Sequence, residues 1–332
     1  MVFHYTISNV DGVAIGDPSG ASTKGGTIQY LPTSGDTSGG NEVNITGPSV
    51  FDMTSVEGNF GNGAIDTGFW DIIDTVDGLS TASIGRVEFK APIGNSIAGI
   101  KTKTLETNFD VETQWTVIQS AAIGTETVWV ANLRIESYAG SVVQAIDMRI
   151  EDRGPGASVR PNSRVLVITK SSAAASLSRE WIIGAPGRTN TVYRLRILQY
   201  ENRIWFFLNE ELWHYQIWVG GSSRISLLTQ GGLLHSSCTS TVDLYARRPL
   251  VVFGDEPSLT VTKASNAHVM CSPPEVQNPT EVTSKVITTY GSEYPMTPNY
   301  TYTRSSMLSW GISTDKVLTL TNDPVLRGVE VA

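Results

Sequence analysis

In Phe109-Asp-Val-Glu-Thr-Gln-Trp-Thr-Val117, the residues Phe109, Val111, Thr113, Trp115 and Val117 alternate with Asp110, Glu112, Gln114 and Thr116. Successive side chains of a strand point to opposite faces of its sheet. Such a stretch therefore lays one face on a core and turns the other toward solvent, the mark of an antiparallel sheet. The same period recurs nearby. Val87 and Phe89 alternate with Arg86, Glu88 and Lys90. Trp129, Ala131, Leu133 and Ile135 oppose Asn132, Arg134 and Glu136, and Ile146, Met148 and Ile150 oppose Asp147, Arg149 and Glu151. Val165–Ile168 is apolar on both faces and reads as a more central strand.

Further along, Tyr193–Tyr200 and Arg203–Asn209 are two apolar strands around the polar pair Glu201-Asn202, which predicts a β-hairpin. Seven of the eight tryptophans lie between Trp70 and Trp218, which places the main core in this part of the chain. No segment sustains a helical period with caps, and Ser171–Ser178 reads as a loop. The pattern predicts an all-β chain with one large antiparallel β-sandwich at 48–248.

The flanks differ. Residues 1–47 hold nine glycines and five charged residues, with loop-like runs at Gly16–Gly20 and Thr33–Gly40. Only Phe3–Ile7 and Thr27–Leu31 look strand-like. So little apolar area cannot stabilise a fold alone, and an extended arm or small β-element ordered by neighbours is expected. Residues 249–332 carry eight of the fifteen prolines. Cys271–Pro279 and Tyr294–Pro298 are expected to be extended, because proline lacks a ladder donor and biases its predecessor away from helix. Strands are expected at Ser258–Thr262, Val282–Thr289 and Lys316–Leu320, within a Pro-rich β-appendage.

Composition excludes some roles. A net charge of −8 without clustered Lys and Arg argues against binding nucleic acid. No run approaches the length of a membrane helix, and the start of the sequence lacks the basic and apolar regions of a signal peptide. Cys238 and Cys271 are too few for a disulfide framework and read as free thiols. The four histidines are scattered and form no zinc pattern.

Three pieces of the middle region resemble the concanavalin A-like lectin/glucanase family: Phe69-Trp70-Asp71, the paired strands from Tyr193 to Leu212, and Thr241–Tyr245 as a closing strand. The resemblance implies a two-sheet jelly roll over about 200 residues, with a face that in this fold often binds carbohydrate. Laminarinase-type relatives carry a Glu-x-Asp-x-x-Glu strand whose carboxylates act as nucleophile and acid/base. No such motif occurs here. Asp110-Val-Glu112 comes nearest, with Glu136 and Glu151 as residues that would have to converge on it. The chain is therefore expected not to be an enzyme. Trp205, Trp213, Tyr215 and Trp218, with Asp110 and Glu112, are the candidate glycan-binding residues, since aromatic faces stack on sugars. Alternation puts Trp213 and Tyr215 on one face and His214, Gln216 and Trp218 on the other. A structural Ca2+ joining the first and last strands of such jelly rolls would here fall to Asp52 and Asp243, with no other cofactor expected. Asp71, Asp74 and Asp77 offer a second acidic group without EF-hand spacing.

These features together suggest a bacteriophage virion protein of the tail or capsid surface, made in the host cytoplasm. Its expected partners are other virion proteins, copies of itself in a homo-oligomer, and a host surface glycan. The alternative is a secreted carbohydrate-binding module or a laminarinase-like hydrolase with a degenerate site.

Overall fold

The computed structural model describes residues 28–47, 60–75, 77–92, 96–103, 107–119, 127–138, 142–153, 163–171, 175–184, 189–218, 222–231, 238–245, 248–265, 267–288 and 292–304. The chain divides into two compact units, Asp52–Arg248 and the combination of Met1–Phe51 with Pro249–Ala332. In chain order the strands begin with β1 (Gln29–Leu31), β2 (Ser34–Asp36) and β3 (Val43–Thr46). The Asp52–Arg248 unit then supplies β4 (Trp70–Ile72), β5 (Leu79–Ser83), β6 (Arg86–Lys90), β7 (Ile97–Thr102), β8 (Phe109–Gln119), β9 (Thr127–Tyr138) and β10 (Val142–Arg153). It continues with β11 (Ser163–Ser171), β12 (Ala175–Gly184), β13 (Thr189–Tyr200), β14 (Arg203–Leu208), β15 (Glu211–Ile217), β16 (Ser223–Gln230) and β17 (Cys238–Tyr245). Six strands follow: β18 (Leu250–Phe253), β19 (Glu256–Pro257), β20 (Thr260–Ser265), β21 (His268–Ser272), β22 (Thr280–Ile287) and β23 (Glu293–Thr303).

The Asp52–Arg248 unit is a jelly-roll sandwich of two seven-stranded antiparallel sheets, ordered β12-β11-β10-β9-β16-β7-β4 and β15-β14-β13-β8-β17-β6-β5. Period-two alternation works as the sequence predicts for Trp115, Val117, Leu133, Ile135, Ile146, Met148, Leu195 and Ile197, which meet in one inter-sheet core, but not for Trp129, which a register shift between Ile150 and Glu151 turns to the other face. The predicted hairpin forms with Tyr200 opposite Arg203 and Glu201 at positive φ. A second two-residue connection follows at Asn209-Glu210, both at positive φ, as the twist of a tight hairpin requires. Ser171–Ser178 departs from its loop reading, for Ala175 onward pairs with β11 as the edge strand β12. Short side chains there carry no local strand signal, and the ladder is supplied by a neighbour.

The other unit corrects the picture of a lone arm and a separate appendage. β3 from the N-terminal segment pairs with β21, giving the sheet β1-β3-β21-β20. β2 lies parallel on β23 in the sheet β19-β18-β22-β23-β2. The two ends share a core in which Tyr30, Val43 and Ile45 pack with Phe253, Val269, Tyr300 and Tyr302. Thr33–Gly40, read as a loop, contains β2 because β23 offers it a partner. Tyr294–Pro298 is extended within β23. Phe3–Ile7 and Lys316–Leu320 lie outside the described residues. Cys271 is a free, buried thiol whose pKa burial pushes up to about 12.

Trp115 is fully buried against Phe89, and its indole N–H donates to Thr113 Oγ1 at 3.0 Å. Trp115→Ala is expected to destabilise the sandwich by about 3–5 kcal/mol, read as a lowered urea midpoint in tryptophan fluorescence.

Candidate functional site

Each sheet has a face turned away from the inter-sheet core, and the residues singled out in the sequence divide between the core and one of these faces. Asp110 and Glu112 lie on the outer face of the β15–β5 sheet, yet both are buried. Arg196 donates from Nε and Nη2 to the two carboxyl oxygens of Asp110 at 2.7 and 2.6 Å, and Arg248 pairs with Glu112. Burial opposes the Arg196 charge, but pairing with Asp110 outweighs it and raises the pKa. The Arg196 guanidinium also lies 4.4 Å from the Phe207 ring. Trp205 and Tyr215 share this face, with ring centroids 5.7 Å apart.

Trp218 belongs to the inter-sheet core, and Trp213 packs against that core. Trp213 thus departs from the expected side because a register shift between Phe206 and Phe207 leaves it in a bulge, with Leu212 and His214 opposite the flanking residues. His214 stacks on Phe206, and burial lowers its pKa. Gln216 reaches Thr169 of the facing sheet at 3.0 Å. The four aromatic candidates therefore do not form one platform.

Asp243 stands opposite Gln114 on β17, and Asp52 lies outside the described residues. Among the described residues no three His, Cys, Asp or Glu side chains gather as a metal group. Asp74 instead holds a loop, accepting from Ser80 N–H at 2.7 Å and from Gly99 N–H at 2.9 Å.

Glu136 and Glu151 do not converge with Asp110 and Glu112. They project from the outer face of the β12–β4 sheet, with the core in between. That face carries the densest polar array of the described residues. Strand register sets it in rows across the sheet: Trp129, Glu151 and Arg164; then Leu228, Asn132, Arg149 and Leu166; then Lys101, Ser226, Arg134, Asp147 and Ile168; then Arg224, Glu136, Ala145 and Lys170. Asp147 receives Arg134 Nε at 2.5 Å and Lys170 Nζ at 2.7 Å, with Arg149 at 3.7 Å. Glu151 is held by Arg149 and by Arg164 at 2.6 Å. Lys101 pairs with Glu136, which also accepts from the Tyr138 hydroxyl at 2.8 Å.

Two aromatic rings anchor the array. Arg149, Lys170 and Arg134 lie 4.5, 5.3 and 5.8 Å from the centroid of Trp129. Arg224 and Lys101 lie 5.1 and 5.5 Å from that of Tyr138. Between them the buried Asn132 side chain has no hydrogen-bond partner for either amide atom, nor have the Nε atoms of Arg149 and Arg224. An unmet buried polar group costs about 1–3 kcal/mol until an oxygen or nitrogen reaches it.

Asp147 is buried, which alone would raise its pKa, but Arg134 and Lys170 outweigh burial and hold it below the usual carboxylate value. It therefore stays ionised near neutrality and cannot serve there as a proton donor. The sequence carries a signal for this array. Charges of opposite sign occupy the polar faces of three neighbouring strands, at Arg134 and Glu136, at Asp147, Arg149 and Glu151, and at Arg164 and Lys170. Read singly, each is an ordinary solvated edge.

No known protein family matches the sequence, and no curated protein does. Among solved structures, the chain is similar to the catalytic domain of an endo-1,3-β-glucanase (laminarinase) from Thermotoga petrophila RKU-1. Identity is 12%, the TM-score is 0.42, and the match covers 66% of this chain and 96% of that one. A laminarinase from Flavobacterium sp. UMI-01 matches at 12% identity and TM-score 0.42, covering 56% and 95%. The carbohydrate-binding module CBM66 from Bacillus subtilis matches at 14% and 0.36, also covering 56% and 95%. The expectation that the chain is not an enzyme is corrected here. Two of these three structures are laminarinases by name, and the likeness assigns this chain no activity. The bacteriophage reading finds no support among them.

Two outcomes test the electrostatics. Asp147 has an ordinary pKa of 3.8 that is lowered in the fold, so its contribution to stability is complete above that value and is lost as pH falls through the lower, folded one. The difference in unfolding free energy between the protein and Asp147→Asn is expected to be flat from neutrality to about pH 4 and to shrink below it. On the opposite sheet, Arg196→Met leaves Asp110 buried without its guanidinium and is expected to cost about 3–5 kcal/mol in urea unfolding.

Proposed function

We propose that this chain binds carbohydrate on the outer face of the β12–β4 sheet, around Trp129. The observation that carries the reading is the combination there of an aromatic ring, fixed carboxylates and guanidiniums, and a buried amide with both atoms unmet. Sugars present apolar ring faces together with hydroxyls that both donate and accept. An indole offers stacking area, and ion-paired side chains offer acceptors and donors already held in place. A ligand then meets groups whose ordering cost has been met in folding, which favours affinity.

The opposite face supports binding less well. Its carboxylates are closed off by Arg196 and Arg248, and Trp205 is buried beside Tyr215. Affinity gel electrophoresis over a panel of polysaccharides tests the assignment. Trp129→Ala is expected to weaken retardation by about tenfold or more, the scale of one lost stacking contact. Loss of binding in Tyr215→Ala but not in Trp129→Ala would move the site to the other sheet. A protein retarded by no polysaccharide would end the proposal. Following the same mixtures for new reducing ends reports whether a bound glycan is cut.

A further inference from the structure

The β12–β4 face is layered by charge. Its deepest groups are carboxylates, with side-chain exposures of 0% for Asp147 and 2% for Glu151. Over that floor, around Trp129 and Tyr138, stand cations, with Lys170 at 31%, Arg134 at 20%, and Arg164 and Lys101 at 19% each, while the more exposed carboxylates Asp71 and Glu180 lie on the edge strands β4 and β12. Among the described residues, seven cations (Lys101, Lys103, Arg134, Arg149, Arg164, Lys170 and Arg224) stand with five carboxylates (Asp71, Glu136, Asp147, Glu151 and Glu180). Asp147 alone has three cations around it. This face thus carries an excess of positive charge on a chain whose net charge is −8.

A positive surface over a negative floor attracts anions and leaves the floor shielded, because Coulomb energy falls with distance and the cation heads are nearest the ligand. The cations are also tethered. Five of them lie against Trp129 or Tyr138, so their heads are held at the face and do not trail into solvent. A diffuse basic patch for nucleic acid would need lysines and arginines spread along a phosphate backbone, and the acidic remainder of the chain opposes that.

Resting on the carbohydrate reading above, we infer that the saccharide recognised at this face is anionic, with a carboxylate or sulfate group seated among Lys170, Arg134 and Arg149 beside Trp129 and among Lys101 and Arg224 beside Tyr138. Fixed guanidiniums suit either group, since both present paired oxygens.

Isothermal titration of the full chain against polygalacturonate, a sulfated glycosaminoglycan, a neutral β-1,3-glucan and a DNA duplex tests this. At low salt one or both acidic polysaccharides are expected to bind at least about tenfold tighter than the neutral glucan, with the gap closing as salt shortens the screening length. Preference between the two acidic polymers identifies the group. Lys170→Gln and Arg224→Gln are each expected to weaken acidic binding several-fold. Urea midpoints confirm that the variants fold, and the salt dependence of the unaltered protein stands independently of them. Tighter binding of the neutral glucan would overturn this inference and leave the carbohydrate reading intact, whereas binding of no polysaccharide would overturn both. DNA binding tighter than either acidic polymer, or acidic binding indifferent to both substitutions, would also overturn it.

Discussion

A strand has two faces, and the inter-sheet core takes only one of them. In the Asp52–Arg248 unit, fourteen strands in two seven-stranded sheets share that core, so the remaining faces must accommodate the polar half of every alternation. They are not simply bathed in water. Asp110, Asp147 and Glu151 are buried although they point away from the core. Taking a carboxylate out of water is costly unless a cation meets it with good geometry. The bidentate pair between Arg196 and Asp110 and the triple neutralisation of Asp147 meet that condition. Much of the surface chemistry of the sandwich follows from where those cations come to rest.

The two faces resolve the same constraint differently. On the β15–β5 sheet a guanidinium seals each carboxylate, and Phe207 covers Arg196. On the β12–β4 sheet the carboxylates lie at the floor and the cations reach over them toward Trp129 and Tyr138. One arrangement is closed and the other presents charge. This difference, more than the number of aromatic residues, separates a face suited to packing from one suited to recognition.

The ends of the chain carry a second lesson. Glycine- and proline-rich segments that cannot bury enough area alone suggest ordering by an assembly. Here β3 pairs with β21 and β2 with β23, and Tyr30, Ile45, Tyr300 and Tyr302 share a core. Each end supplies the partner the other lacks. The main physical ground for expecting a larger particle is thereby removed, since the missing neighbour is another part of the same chain.

Period-two alternation determined the strands β6, β8, β9 and β10, and the polar pair Glu201-Asn202 determined the hairpin of β13 and β14, because both signals are local and arise from pleat geometry and turn chemistry. The sequence also marked Asp147, Arg149 and Glu151 as one polar face. Only the tertiary structure decided that Arg134 and Lys170 flank them, that Trp129 joins them, and that Asp110 and Glu112 lie on the opposite sheet. Only it put Trp213 in a bulge and joined the two ends. Sheet membership and register depend on contacts between residues far apart in the chain, and a one-residue shift exchanges the two faces of a strand without altering its pattern.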